Sequence, residues 1–131
     1  MIRVGFRELV RQAEGQIQSI SAEEALRLID DPGTVIVDIR DIRELRREGR
    51  IPGSFHAPRG MLEFWIDPES PYHKNIFSSG KRFIFQCNTG WRSALATKTA
   101  QDMGLGPVCH LDGGFSAWVA AGGPVEAADK K

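Results

Sequence analysis

The chain has 131 residues, enough for one domain whose folding removes roughly two-thirds of the unfolded surface from water. Seventeen basic residues balance seventeen acidic ones, so no overall field draws nucleic acid or an anionic membrane, and any preference for anions must be local. The only two cysteines, Cys87 and Cys109, lack CxxC spacing, which speaks against a disulfide framework and for a reducing, cytoplasmic setting. The opening stretch from Met1 to Val10 mixes charge with apolar residues and lacks the apolar core of a secretory signal, and no run approaches the ~20 apolar residues of a membrane span.

Phe6, Leu9, Val10 and Ala13 fall at i, i+3, i+4 and i+7, which predicts an amphipathic helical extension over residues 1–15, closed by Gly15. A short extended piece from Gln16 to Ile20 follows. Ser21-Ala22-Glu23-Glu24 matches a capping box and opens a helix with Ala22, Ala25, Leu26, Leu28 and Ile29 on its buried face. Asp30-Asp31-Pro32-Gly33 ends it. Thr34 to Val37 is a continuous β-branched run ending at Asp38, the pattern of a parallel strand covered on both faces. Asp41 and Glu44 repeat the capping-box spacing before an exposed, highly charged helix running to Arg50. Ile51 to Pro58 holds too many breakers for more than a short strand over Ser54 to Ala57.

The apolar run from Arg82 to Gln86 reads as a strand, and Ala94 to Met103 as a helix whose small residues Ala94, Ala96 and Ala100 allow close approach to a sheet. Leu95, Thr99 and Met103 share a stripe, and Gly104 stops the helix at C′. Val108 to Leu111 is a last short strand, followed by Asp112-Gly113-Gly114 and a helix around Phe115 to Ala121. The stretch 123–131 reads as a loose tail. Alternating strands and helices predict an α/β domain over residues 16–122, with a mainly parallel sheet and right-handed crossovers.

Between the strand at Gln86 and the helix at Ala94 lies Cys87-Asn88-Thr89-Gly90-Trp91-Arg92-Ser93. A short loop feeding a helix start turns free backbone N–H groups inward, and the helix dipole adds partial positive charge there. Both favour a thiolate over a thiol, so Cys87 is expected to be a nucleophile near neutral pH. Ligands of open parallel sheets gather beyond the carboxyl ends of the strands. Cys87, Asp38, Asp112 and Gly113 all fall at such ends.

Val35-Ile36-Val37-Asp38-Ile39-Arg40, Gly49-Arg50-Ile51-Pro52-Gly53-Ser54, the Cys87 to Ser93 loop and Leu111-Asp112-Gly113-Gly114-Phe115-Ser116-Ala117-Trp118 together resemble the single-domain rhodaneses, from Ile17 to about Ala121. Four motifs in the expected order are far more specific than one. The resemblance implies a rhodanese-like fold with a five-stranded, mainly parallel sheet flanked by helices on both faces. It also implies a thiosulfate sulfurtransferase whose Cys87 cycles through a persulfide. Arg50 stands where the family commonly has histidine, and the aromatic often found near Leu45 is absent. The long aromatic segment 58–73 resembles only a subset of the family; it either forms a lid beside the site or roofs the core with Phe64, Trp65 and Tyr72.

In this reading Cys87 attacks the outer sulfur of thiosulfate or a related donor and sulfite leaves. The backbone N–H groups of Asn88, Thr89, Gly90, Trp91, Arg92 and Ser93 hold the resulting persulfide as a nest holds phosphate, and cyanide or a thiol then removes the sulfur by ping-pong kinetics. No cofactor or metal is needed, and His56, His73 and His110 show no ligand spacing. Arg92 offers planar donors to a sulfonate. Trp91 either flanks the entrance or covers the first helical turn, and the hydroxyls of Thr89 and Ser93 either bond the sulfur or cap the helix.

Asp38 and Arg40 are read as supporting residues near the loop, Asp38 mainly as a structural acceptor. Arg59 begins the lid and either meets the donor or stays solvated. Cys109 reads as a small buried hydrophobe. The expected partners are a small sulfur donor, a thiol or cyanide acceptor and a sulfur-carrier protein, with neither nucleic acid nor membrane. Two other functions share these features. Cysteine phosphatases also place cysteine before an anion loop ending in arginine, but with five intervening residues against the four of Asn88 to Trp91, and Gln86 stands where a phosphatase of the common type has histidine. A non-catalytic binding module on the same fold is the other.

Overall fold

The computed structural model describes residues 1–128. Five strands, β1 (Gln18–Ile20), β2 (Thr34–Asp38), β3 (Phe55–His56), β4 (Arg82–Gln86) and β5 (Val108–Leu111), form one sheet in the order β1-β5-β4-β2-β3, every pairing parallel. Six α-helices accompany them: α1 (Phe6–Glu14), α2 (Ala22–Arg27), α3 (Ile42–Glu48), α4 (Leu62–Ile66), α5 (Trp91–Asp102) and α6 (Gly114–Ala120). The chain leaves β2 toward β3 and leaves β4 toward β5, so the adjacent pair β2 and β4 is where the winding reverses, the place where such sheets open a crevice.

Strand alternation divides the core. Val35, Val37, Phe83, Phe85 and Val108 pack with Ala96 and Ala100 of α5 and with Leu62 and Ile66 of α4 on one face. Ile36, Ile84, Cys109 and Leu111 pack with Ala25 of α2 and with Phe115 and Trp118 of α6 on the other. Helices therefore cover both faces, and the alanines of α5 permit its close approach as their size suggests. The Ser21 capping box forms, with Ser21 Oγ accepting from the Glu24 amide while Glu24 bonds back to the Ser21 amide.

Several expectations are corrected. The helix after Asp41 is capped by Asp41 accepting from the Arg43 amide, but Glu44 does not close a capping box, because its carboxylate is engaged by Arg92. On α1 only Val10 and Ala13 are buried; they pack against Ala94 and Leu95 of α5, while Leu9 faces solvent. Leu28 and Ile29 lie past the end of α2, partly buried against the second core.

Segment 58–73 does not hang over the loop as a lid: a 3-10 turn (Arg59–Met61) leads into α4, whose Leu62 and Ile66 are core residues and whose Trp65 rests edge-on against Phe55. Residues 123–128 are held rather than loose. Trp118 Nε1 donates to the Pro124 carbonyl at 2.8 Å, Arg50 and Glu126 exchange backbone hydrogen bonds and an ion pair, and Ala128 is buried. The last three residues of the expected tail, 129–131, lie outside the described residues. No helix of the described residues is long and apolar enough to cross a membrane.

Candidate active site

Cys87 follows directly on β4 and is 1 % exposed. Its Sγ accepts the Gly90 amide at 3.1 Å and the Ser93 amide at 3.4 Å and lies 3.5 Å from Ser93 Oγ. Gly90, at φ 107°, makes the left-handed turn that folds the chain back over the sulfur and that a residue with a Cβ would resist. Trp91, Arg92 and Ser93 are the first turn of α5, where amides have no helical acceptor. Ser93 gives its amide to sulfur, and among the described residues the amides of Thr89, Trp91 and Arg92 find no protein acceptor.

The outer side of the loop is held by α6. The Phe115 amide donates to the Cys87 carbonyl at 2.7 Å and the Ser116 amide to the Asn88 carbonyl at 3.0 Å, while Ser116 Oγ reaches Asn88 Oδ1 at 3.2 Å. With its carbonyls drawn toward α6, the loop presents N–H groups to the sulfur. Gly114 makes this approach possible, since a Cβ there would lie 2.5 Å from the Cys87 carbonyl oxygen.

The charged residues around the loop are largely paired with one another, Asp38 serving as the structural acceptor expected of it. Arg92 is paired with Glu44 through two contacts of 2.8 and 3.1 Å, which hold the Glu44 carboxyl below the usual range and push the Arg92 guanidinium up. The guanidinium is thus anchored to α3, with Cys87 within its electrostatic reach. Asp38 and Arg40 are both fully buried. Arg40 closes on Asp38 through Nε and a terminal nitrogen at 3.0 and 2.7 Å, bonds the Gly49 carbonyl and lies 4.3 Å over the Phe115 ring. This pair braces the chain reversal beside the loop and presents no charge to solvent. Arg59 reaches the Arg92 carbonyl at 3.4 Å, which sets it at the edge of the loop.

Trp91 is half-exposed and packs on Phe6 with ring centroids 4.8 Å apart, Arg7 standing over both rings, so the start of α1 packs against the start of α5. Thr89 is exposed and its hydroxyl has no partner among the described residues, whereas Ser93 Oγ meets the sulfur and His110 Nδ1. Cys109 lies on the opposite face of the sheet from Cys87, and burial pushes its thiol up, so it is placed as a core residue and not as a resolving partner. The histidines are dispersed: His56 bonds the Arg40 carbonyl, His73 bonds Ser78 and His110 bonds Ser93. Among the described residues no three histidines, cysteines or carboxylates cluster as a metal would need.

Sequence reasoning missed two residues. Glu44 has cap spacing in the sequence, and only the ion pair that reaches from α3 to Arg92 of α5 reveals its partner. His110 carried a usable signal, because alternation along β5 sends Val108 and His110 to the α5 face, the side occupied by Cys87.

The protein is thus a parallel five-stranded α/β domain with a buried cysteine in an amide-lined loop where the winding reverses. The rhodanese-like domain family matches residues 21–121, and the chain belongs to that family. Among its relatives is the thiosulfate sulfurtransferase GlpE of Pseudoalteromonas translucida (strain TAC 125), 34% identical over 102 residues that cover 78% of this chain and 89% of that one. Among solved structures, a protein of unknown function from Rhodopseudomonas palustris CGA009, described as a possible tyrosine phosphatase, superposes with TM-score 0.93 at 54% identity, covering 96% and 97% of the two chains. The polysulfide-sulfur transferase homodimer of Wolinella succinogenes gives TM-score 0.70 at 27% identity, covering 95% and 89%.

Proposed function

We propose that the protein is a sulfurtransferase that carries a sulfane sulfur on Cys87. The observation behind this reading is the loop itself: two amides already point at Sγ, and those of Thr89, Trp91 and Arg92 have no protein acceptor. In the first half-reaction the Cys87 thiolate attacks the outer sulfur of thiosulfate. The new S–S bond forms as the bond to the sulfonate sulfur breaks, and sulfite leaves with that electron pair. The unpaired amides then receive the anionic outer sulfur, since oriented backbone N–H groups form an anion-binding concavity. In the second half-reaction cyanide or a thiolate attacks the outer sulfur, and the Cys87 sulfur departs as thiolate, so turnover is ping-pong.

Arg92, fixed by Glu44, supports the anionic states through its field more than by grasping the donor. Asp38 and Arg40 act by holding the loop's surroundings, and Arg59 at the loop edge meets an incoming anion. No cofactor or metal enters this chemistry. Related persulfides and a sulfur-carrier protein are further candidate donors and acceptors, and two unpaired thiols suit a reducing, cytoplasmic compartment.

The description attached to the R. palustris neighbour favours a second reading, a cysteine phosphatase. The four residues between Cys87 and Arg92 speak against it, as does the engagement of Arg92 by Glu44, because a phosphoryl group has three oxygens to hold and needs a wider ring with a free guanidinium. The test is intact mass. After incubation with thiosulfate, wild type gains one sulfur and loses it to cyanide, and Cys87→Ser gains none. Wild type that never gains sulfur, or Cys87→Ser that does, refutes the sulfurtransferase. Hydrolysis of an aryl phosphate by the same preparation installs the phosphatase instead.

A further inference from the structure

His110 is buried on β5 beneath the Cys87 loop. Its Nδ1 lies 3.0 Å from Ser93 Oγ, and that oxygen lies 3.5 Å from Cys87 Sγ and 3.3 Å from the Gly90 carbonyl. Its other nitrogen, Nε2, is buried without a protein partner. Burial lowers the pKa of the ring although Asp112 and Glu14 pull it upward, so near neutral pH the imidazole is neutral and one nitrogen carries the proton. A proton on Nε2 would bury an N–H with no acceptor, the costlier tautomer. A proton on Nδ1 is donated to Ser93 Oγ, and the hydroxyl proton must then go elsewhere. It has two acceptors in reach, the Gly90 carbonyl and the sulfur, and a charged sulfur is the stronger.

We propose that His110 is a positioning residue for sulfur transfer: by donating from Nδ1 to Ser93 it commits the Ser93 hydroxyl to the Cys87 sulfur as that sulfur becomes a thiolate. The inference rests on the sulfurtransferase reading and concerns its second half-reaction. There the acceptor forms a bond to the outer sulfur, the S–S bond breaks, and Cys87 Sγ takes the electron pair. The Gly90 amide, the Ser93 amide and the Ser93 hydroxyl receive the charge together, the last only if it is aimed.

The experiment measures discharge of preloaded persulfide by cyanide in a single turnover, followed by intact mass. Ser93→Ala and His110→Leu are each expected to slow discharge roughly tenfold, as one charge-assisted hydrogen bond is lost. The cyanide concentration giving half-maximal rate should change little. The double variant is no slower than either single one, because both remove the same bond. His110→Asn, whose side-chain amide can donate at the Nδ1 position, recovers to within about threefold of wild type. Should His110→Leu not fold, His110→Gln replaces it, since its amide reaches the Nε2 position and leaves Ser93 without a donor.

Discharge at the wild-type rate in His110→Leu or His110→Gln, losses that multiply in the double variant, or an Asn variant as slow as the Leu variant each overturn the proposal. Wild type that never loads sulfur overturns the sulfurtransferase reading and this inference with it. Wild type that loads normally beside unaffected variants overturns this inference alone.

Discussion

Two loops leave the carboxyl ends of the adjacent strands β2 and β4, and each carries a buried group that could hold charge, Arg40 in the first and Cys87 in the second. After β2, Asp38 and Arg40 close on each other, and a further guanidinium contact goes to the Gly49 carbonyl. After β4, the amides of Gly90 and Ser93 meet on one sulfur, and among the described residues those of Thr89, Trp91 and Arg92 have no protein acceptor. The first loop is closed by these bonds, with Arg40 Nη1 left facing Glu48 at 3.7 Å without a hydrogen bond. The second is held from outside by α6, so its inner donors stay open to an atom that changes charge. Position at the end of a parallel strand does not by itself make a candidate site, and the surrounding hydrogen bonds are what distinguish the two loops.

The largest effect that tests this contrast is on the closed loop. Arg40→Ala leaves a buried carboxylate without its partner and should cost about 3–5 kcal/mol of stability, read as a drop in the denaturant midpoint. A loss below about 1 kcal/mol would mean that the pair does not brace the fold. On the open loop, Gly114→Ala drives a methyl group into the Cys87 carbonyl. Loading from thiosulfate should fall at least about tenfold, with a stability loss of about 1–3 kcal/mol, so a variant that loads at the wild-type rate would show that α6 does not shape the loop.

Glu44→Gln sharpens the boundary between the two regions. The Glu44 pKa is depressed in the folded chain, so its contribution is complete above the ordinary glutamate range and vanishes as pH falls through the lowered value. The pair is partly exposed and is worth at most about 1 kcal/mol. The melting-temperature gap between wild type and Glu44→Gln should therefore be constant near neutrality and close below about pH 4. A gap that widens in acid contradicts the assignment. Smallest is Glu126→Ala, which removes the half-exposed partner of Arg50 and should cost a few tenths of a kcal/mol in chemical denaturation, without changing the loading rate.

Much of this was legible in the sequence for specific reasons. The β-branched run from Thr34 to Val37, the capping box at Ser21 and the glycine stop at Gly104 are local signals whose physics is complete within a few residues. The Cys87 loop was legible because a strand, a glycine and a helix start fix where amides point. What escaped depends on elements meeting across the sheet. Glu44 has the same local spacing whether it caps its own helix or pairs with Arg92. The aromatic segment 58–73 reads equally as a lid or as a cover for the core, and the choice is made by Leu62 and Ile66 packing with Phe55 and Phe77, a contact between distant parts of the chain. Trp118, whose Nε1 seeks an acceptor, pins a stretch that composition alone marks as loose.

The central claim is that this loop is a cradle for one extra sulfur atom on Cys87. A high-resolution crystal structure of protein loaded with thiosulfate tests it most directly. The account predicts density for one sulfur bonded to Cys87 Sγ, within hydrogen-bond reach of the amides of Thr89, Trp91 and Arg92, with the Arg92 to Glu44 pair intact. A sulfur on Cys109, or a tetrahedral anion seated in a widened loop with Arg92 turned onto it and Sγ unmodified, would contradict it.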